Sequence, residues 1–238
     1  MSIMTDSVAE RFIFKSDSAF YNLPDQVKEE FLTQMIFKQF KKKQNIFTEG
    51  TFPAGIYFIK KGKVKKYKSL NGGKEQILYV CSEGELLGYA SFLSEERYPD
   101  SAASLTDATI GFISKVKLLK LLDQYPELSN MLMKNISHEI GVLVNFIATY
   151  THKTVRERVA LTLLILREKF KDNLNENREV QIVLSRADFA NIVGTAVATL
   201  VRLLHDFKDE NLIRTQGRKI IIIGELRLLE IADVSDIF

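Results

Sequence analysis

The sequence predicts an α+β chain: a roll of short β-strands, then one long helix, then a helix-turn-helix closed by a β-hairpin. Three observations predict it. Short runs of β-branched and aromatic residues, separated by glycine-containing turns, fill the region from Met35 to Ile113. From Pro126 to about Tyr150 apolar residues recur at steps of three and four, the period of a helix with a seam. The stretch LSRADFANIVGTAVATLVRLLHDFKDENLIRTQGRKIIII, Leu184 to Ile223, then combines a helix start, a glycine turn, a second amphipathic helix and a hairpin turn.

In the roll, Ile56-Tyr-Phe-Ile59, Val64-Lys-Lys-Tyr67 and Gln76-Ile-Leu-Tyr-Val80 read as strands. Glu49-Gly50, Lys61-Gly62, Asn71-Gly72-Gly73 and Glu83-Gly84 read as the turns between them, and Asn71-Gly72 is a strong hairpin signal. The lysines from Lys60 to Lys68 read as a solvated strand face, with lysine protecting an edge. Ser114 begins a short helix and Pro126 the long one. On the long helix Met133, Ile136, Ile140, Leu143, Ile147 and Tyr150 form the seam, while Val142, Val144 and Phe146 add apolar surface beside it. A helix apolar on two sides usually has two neighbours, so a parallel homodimer through this helix is expected.

A helix from Val155 to Phe170, a polar loop from Lys171 to Glu179 and a strand from Val180 to Val183 follow. Ser185 and Asp188 have the spacing of a capping box, with aspartate in the glutamate's place. Phe189, Ile192 and Val193 are expected to face inward, and Ala190 is small enough for a second helix to pass close. Gly194 supplies the turn and Thr195 a cap. The second helix, Ala196 to Lys208, has Val197, Leu200, Leu203, Leu204 and Phe207 as its apolar positions. The hairpin after Asn211 turns at Gln216-Gly217-Arg218, where Arg214, Arg218 and Lys219 set cations in the path of phosphates. Such a helix pair places its second helix in the major groove of double-stranded DNA.

Composition bounds the alternatives. The 238 residues are 46% hydrophobic and 26% charged, ordinary for a globular protein, and the net charge is only +3. Total charge therefore does not argue for nucleic acid; the local arrangement does. No apolar run approaches the length of a membrane helix, so no membrane partner is expected. The start, MSIMTDSVAERF, does not read as a secretory signal, and a cytoplasmic location is expected. Cys81 stands alone and reads as a buried strand thiol; His138, His152 and His205 have no ligand spacing. No metal or cofactor is expected. Neither a Ser–His–acid arrangement nor a glycine-rich phosphate loop is visible, so an enzyme is not expected.

These pieces, in this order, resemble the Crp/Fnr family of bacterial regulators, related to the cyclic-AMP receptor protein. The resemblance covers nearly the whole chain. It includes IFTEG (Ile46 to Gly50), GIYFIKKGKVK (Gly55 to Lys65), EGELLGYASFL (Glu83 to Leu93), the long helix and LSRADFANIVGT…VRLL. It implies a cyclic-nucleotide-binding-type β-roll, a dimerisation helix at about 126–151, and a winged helix-turn-helix reading a two-fold symmetric site. The domains are expected at 1–151 and 152–238. The resemblance also implies RNA polymerase as a partner.

Two departures from the family pattern stand out. The nucleotide site would comprise Gly88, Tyr89, Ala90, Ser91, Asp100, Ser101, Leu143 and Val144. In nucleotide-binding members a glutamate that holds the ribose matches Tyr89, and an arginine that pairs with the phosphate matches Asp100. The polar pair that contacts the base matches Leu143 and Val144. An arginine–phosphate contact is worth roughly 1.5–3 kcal/mol, and aspartate in its place is expected to repel. No high-affinity cyclic-AMP binding is expected, and a single cysteine excludes the iron–sulfur branch. What remains is an unidentified ligand, or none.

The second departure lies in the reading helix. Ala196-Val197-Ala198 stands where many members have serine–arginine–glutamate. Arg202 matches the retained arginine and can bond guanine O6 and N7; Ala198 can touch only a thymine methyl. DNA shape is expected to carry a larger share of the discrimination. Ser185, Thr195, Thr199 and Arg218 match phosphate-contacting positions, and Arg186 stands among them. The rival reading is a ligand-binding or interaction module that has lost specific DNA binding.

Overall fold

The computed structural model describes residues 11–14, 16–70, 72–171 and 179–234. The chain forms two compact units, one of Phe14–Gly141 and one of residues 142–234 with residues 11–13.

The first unit opens with α1 (Ser16–Tyr21) and α2 (Asp25–Thr33). Strands β1 (Ile36–Phe40), β2 (Asn45–Phe47), β3 (Gly55–Lys61), β4 (Val64–Ser69), β5 (Glu75–Cys81) and β6 (Leu86–Leu87) follow. Helix α3 (Tyr89–Ser94), β7 (Ser101–Ser104), β8 (Ala108–Ser114), α4 (Lys115–Gln124) and the long α5 (Pro126–Tyr150), whose residues beyond Gly141 belong to the second unit, come next. Two antiparallel four-stranded sheets result, ordered β1-β8-β3-β6 and β2-β7-β4-β5. Strand alternation explains how they pack. Ile59 and Ile110 of one sheet meet Phe47, Val64, Cys81 and Ala102 of the other in a single buried cluster, so the sheets face each other as a roll. The opposite face of the first sheet presents Ile56, Phe58 and Ile113 to Phe31, Leu118, Leu121 and Leu132 of the helices. Each such side chain contributes about 1.5–3 kcal/mol by leaving water.

The expected turns hold glycines in the left-handed region: Gly50, Gly62, Gly72, Gly73 and Gly84 all have positive φ. Gly72 and Gly73 join β4 to β5, whereas Asn71 of that hairpin lies outside the described residues. The lysine run departs from expectation. Strand β4 lies between β7 and β5, not at an edge. Lys65 is buried, paired with Glu75, and its ammonium sits 4.8 Å from the Tyr67 ring centroid. Strand order is a non-local property, and a run of lysines does not reveal it.

Along α5, Met133, Ile140, Leu143, Val144 and Ile147 remain between 47% and 69% exposed. Val142 is buried, and Phe146 meets Phe12 edge-on at 5.5 Å. Of the apolar surface beside the seam, Val142 and Phe146 are thus covered by the chain itself, while Val144 joins the bare stripe.

The second unit contains α6 (Val155–Phe170), β9 (Ile182–Val183), α7 (Arg186–Val193), α8 (Val197–Asp209), β10 (Ile213–Gln216), β11 (Lys219–Ile222) and α9 (Glu225–Ala232). Thr154 starts α6 with a full capping box, since Glu157 N–H donates to its hydroxyl and its own N–H donates to Glu157 Oε2 at 2.7 Å. The strand expected from Val180 is shorter, pairing only Ile182 and Val183 with β11. Most of the polar loop expected before it, residues 172–178, lies outside the described residues. Val159, Leu163, Phe189, Val193, Leu200, Phe207 and Ile220 are all fully buried here.

Candidate nucleic-acid interface and sensor cavity

The cavity of the roll forms where β6 turns into α3. Gly88 makes that turn with φ +77, and a Cβ on it would lie 3.0 Å from the Tyr98 ring. Only glycine allows both the turn and the close ring. Gly88, Tyr89, Ala90, Ser91 and Asp100 all line the cavity, as does a group the sequence did not reveal: Lys66, Tyr79, Tyr98 and Glu139. Ser101 lies beside it, its hydroxyl accepting from Glu49 N–H at 2.9 Å. Leu143 and Val144 do not line it; they are 47% and 59% exposed on α5.

The polar chemistry of the cavity is self-contained. Lys66 Nζ lies 2.9 Å from Asp100 Oδ2 and 5.1 Å from the centroid of the Tyr79 ring. Asp100 is therefore one half of an ion pair rather than the lone negative charge its sequence position suggests. Its other oxygen, Oδ1, is buried without a hydrogen-bond partner among the described residues. The Tyr89 hydroxyl donates to Glu139 Oε1. Burial holds the Glu139 carboxyl above the usual carboxylate range, opposed by the Tyr89 hydrogen bond and by Lys66. Burial, and then the nearby Glu139 charge, push the Tyr89 phenol up; burial does the same to Tyr98.

These residues do not fit a cyclic nucleotide. Its phosphate needs a cation, and the ammonium at this site is engaged by Asp100 with a second carboxylate near. The cavity measures about 40 Å³, space for a few waters at most. Nor do the residues fit an iron–sulfur cluster, because the chain has one cysteine and Cys81 is buried in the roll core.

In the second unit, α7 and α8 cross at 97° about Gly194, which adopts the left-handed conformation at φ 68. That angle is the helix-turn-helix geometry. Ser185 caps α7: its hydroxyl accepts from Asp188 N–H at 3.0 Å and donates to Asp188 Oδ2 at 2.5 Å. Its oxygen is thereby committed to the fold. Ala196, not Thr195, occupies the N-cap of α8, and no side chain caps that end. Thr195 instead closes the turn, its N–H donating to Ala190 O at 3.1 Å.

Helix α8 divides cleanly into two faces. Leu200, Leu203, Leu204 and Phe207 are buried. Ala196, Ala198, Arg202 and His205 are exposed, Thr199 is half-buried, and Val197 and Val201 are 43% and 48% exposed. Val197, one of the apolar positions of this helix, is thus left partly in solvent rather than buried with the others. Ile192 of α7 is likewise only half-buried. Among the described residues no hydrogen bond or ion pair engages Arg202.

The wing is the β10–β11 hairpin. Arg218 and Lys219 are exposed at its turn and, among the described residues, unpaired. Arg214, expected to share that role, is instead held by Glu179 at 2.6 Å. Arg186 donates from Nη2 to Gly217 O at 3.2 Å, bracing the wing turn against α7, and burial lowers its guanidinium's affinity for the proton. Among the described residues no single helix is long and apolar enough to cross a membrane; the α7–α8 pair meets the test of length and composition only across its 97° bend.

Comparison with known proteins agrees with this architecture. Residues 37–125 match the cyclic nucleotide-binding domain, and residues 157–231 the Crp-like helix-turn-helix domain. The fumarate and nitrate reduction regulatory protein of Vibrio cholerae is 29% identical over 198 residues, 83% of this chain and 79% of that one. The transcriptional activator protein anr of Pseudomonas aeruginosa is 28% identical over 192 residues, 81% and 78% of the two chains. The fold is shared with FixK2 from Bradyrhizobium japonicum, with TM-score 0.71 at 21% identity over 83% of this chain and 96% of that one. Both curated relatives are regulators rather than enzymes. With a nucleotide-binding-type roll followed by a helix-turn-helix in the order of these relatives, the chain belongs to the Crp/Fnr family of DNA-binding transcription regulators.

Proposed function

We propose that this regulator works as a homodimer joined along α5 and reads a two-fold symmetric DNA site through α8, with Arg202 as its main base-reading side chain. The observation that carries this is Arg202 itself, exposed on the outward face of α8, one turn beyond its N-terminus, and without a partner among the described residues. A free guanidinium there suits bidentate bonding to guanine. Arg218, Thr195 and Thr199 contact phosphates, and the engaged Ser185 and Arg186 hold the cap and the wing in place for them. Ala196, Val197 and Ala198 form the leading edge of the reading helix.

The bare stripe of α5 supports the dimer. Five apolar side chains spaced over four turns are left in solvent, and a second copy of the same helix would bury them by knobs-into-holes packing. The functional division falls where α5 ends, giving a sensor and dimer part of 1–151 and a DNA-binding part of 152–238. The activator role in the name of the Pseudomonas aeruginosa relative supports contact with RNA polymerase, and work on DNA supports a cytoplasmic location. The sensor answers to a ligand other than a cyclic nucleotide, or to none. Titration calorimetry with cyclic AMP is expected to give no binding at micromolar concentration.

Selection of bound fragments from a random DNA pool, with and without cell extract, tests the reading directly. A recovered two-fold symmetric sequence supports it, and a change on adding extract reports a ligand. Recovery of no preferred sequence would favour a module that has lost specific DNA binding.

A further inference from the structure

We propose that the signal read by the roll is the proton: Glu139 binds and releases it in the cavity, and the protonated form favours the dimer joined along α5. The inference rests on the dimer and DNA-binding roles proposed above and says what the roll responds to. At about 40 Å³ the cavity takes a few waters and is too small for a nucleotide-sized metabolite, whereas a proton needs only an acceptor. Two carboxylates line it. Asp100 is answered by the Lys66 ammonium at 2.9 Å, while Glu139 has no cation in ion-pair contact among the described residues. The hydrogen-bond partner of Glu139 is the Tyr89 hydroxyl, which donates to Oε1.

Titratable groups face Glu139 from five segments of the roll. Lys66 stands on β4, Tyr79 on β5, Glu85 just before β6, Tyr89 at the start of α3 and Asp100 just before β7. Burial, together with the Glu85 and Asp100 carboxylates, holds the proton on Glu139, against the Tyr89 hydrogen bond and Lys66. When Glu139 ionises, a second negative charge faces Asp100, whose Oδ1 is already buried without a partner among the described residues. A charge left unpaired in such a place draws water to itself or moves toward it. Among the described residues Glu139 is the one lining residue that α5 supplies. Its neighbours on that helix, Ile140 and Leu143, belong to the bare stripe and are 57% and 47% exposed. Ionisation therefore loosens the seat of α5 on the roll beside the stripe, and the neutral carboxyl keeps it.

The test uses the full-length protein at constant salt from about pH 5 to about pH 8, read by sedimentation and by binding to the duplex recovered from the random pool. The dimer is expected to weaken about tenfold as pH rises, and DNA affinity with it. Glu139→Gln fixes the neutral form, so it should stay dimeric and lose that dependence. Every other titratable group is retained in the variant, so the difference between the two profiles belongs to Glu139. Tyr89→Phe removes a hydrogen bond that favours the ionised form, and its transition should move to higher pH. Thermal midpoints check folding, and if Glu139→Gln does not fold, the shift in Tyr89→Phe decides. A wild-type dimer unchanged across the range, a dependence kept in full by Glu139→Gln, or an unmoved transition in Tyr89→Phe would overturn the proton reading and leave the dimer standing. A monomer at every pH would overturn the dimer reading, and this inference with it. Recovery of no DNA sequence would overturn the DNA-binding reading alone, since sedimentation decides the proton reading without DNA.

Discussion

Lys66 sets its ammonium 2.9 Å from Oδ2 of Asp100, inside the roll, where the two side chains are 16% and 7% exposed. The pair joins β4 to the residue just before β7 and neutralises the position where the family resemblance implies an arginine. It also explains why the cavity can hold an aspartate at all: a buried carboxylate is tolerated only with a partner.

Removing one partner should therefore be costly. Lys66→Met leaves Asp100 charged and buried, and urea unfolding is expected to show a loss of about 3 kcal/mol or more. Adding Asp100→Asn should recover much of it, the signature of a coupled pair in a double-mutant cycle. Additive losses would show that the two groups act independently.

Glu139 predicts a dependence on pH. Its carboxyl binds its proton more tightly in the folded roll than at its usual value of 4.5, because burial opposes its charge. The stabilisation from protonated Glu139 is complete below that usual value and is lost as pH rises through the raised one. Glu139→Gln keeps an acceptor for the Tyr89 hydroxyl and removes the titration. Thermal midpoints from acid to neutral pH should fall less steeply in the variant, with the difference growing above pH 4.5.

The arginines of the second unit should separate by kind of contact. Arg202→Ala should cost roughly 1–3 kcal/mol on the selected site and relax one base preference. Arg218→Ala should weaken binding equally on all sequences and reduce the salt slope by about one. Equal loss on every sequence for Arg202→Ala would remove its base-reading role.

The stripe on α5 predicts the oligomeric state. Ile140→Glu together with Ile147→Glu places charge on two of its exposed positions, which the monomer tolerates because both lie in solvent. Sedimentation should show a dimer become a monomer, and affinity for a two-fold site should fall with it. A variant that remains dimeric would place the interface elsewhere.

By itself the sequence determined the local architecture. The glycine turns, the start of α5 at Pro126 and its end at Tyr150, the cap at Ser185 and the turn at Gly194 all follow from backbone sterics and periodicity over a few residues. What surrounds a side chain in three dimensions did not follow. Lys66 reads as one of a solvated run because nothing nearby in sequence reveals that β4 is an inner strand, and Glu139 comes from a helix fifty residues beyond the Tyr89 it engages. Val197 reads as one more apolar position of α8, yet it stays 43% exposed while Leu200, Leu203, Leu204 and Phe207 are buried. Arg214 reads as a free wing cation until Glu179 is seen against it. Periodicity records which face of an element is apolar; only the packing of distant segments decides which faces are covered and which charges are already paired.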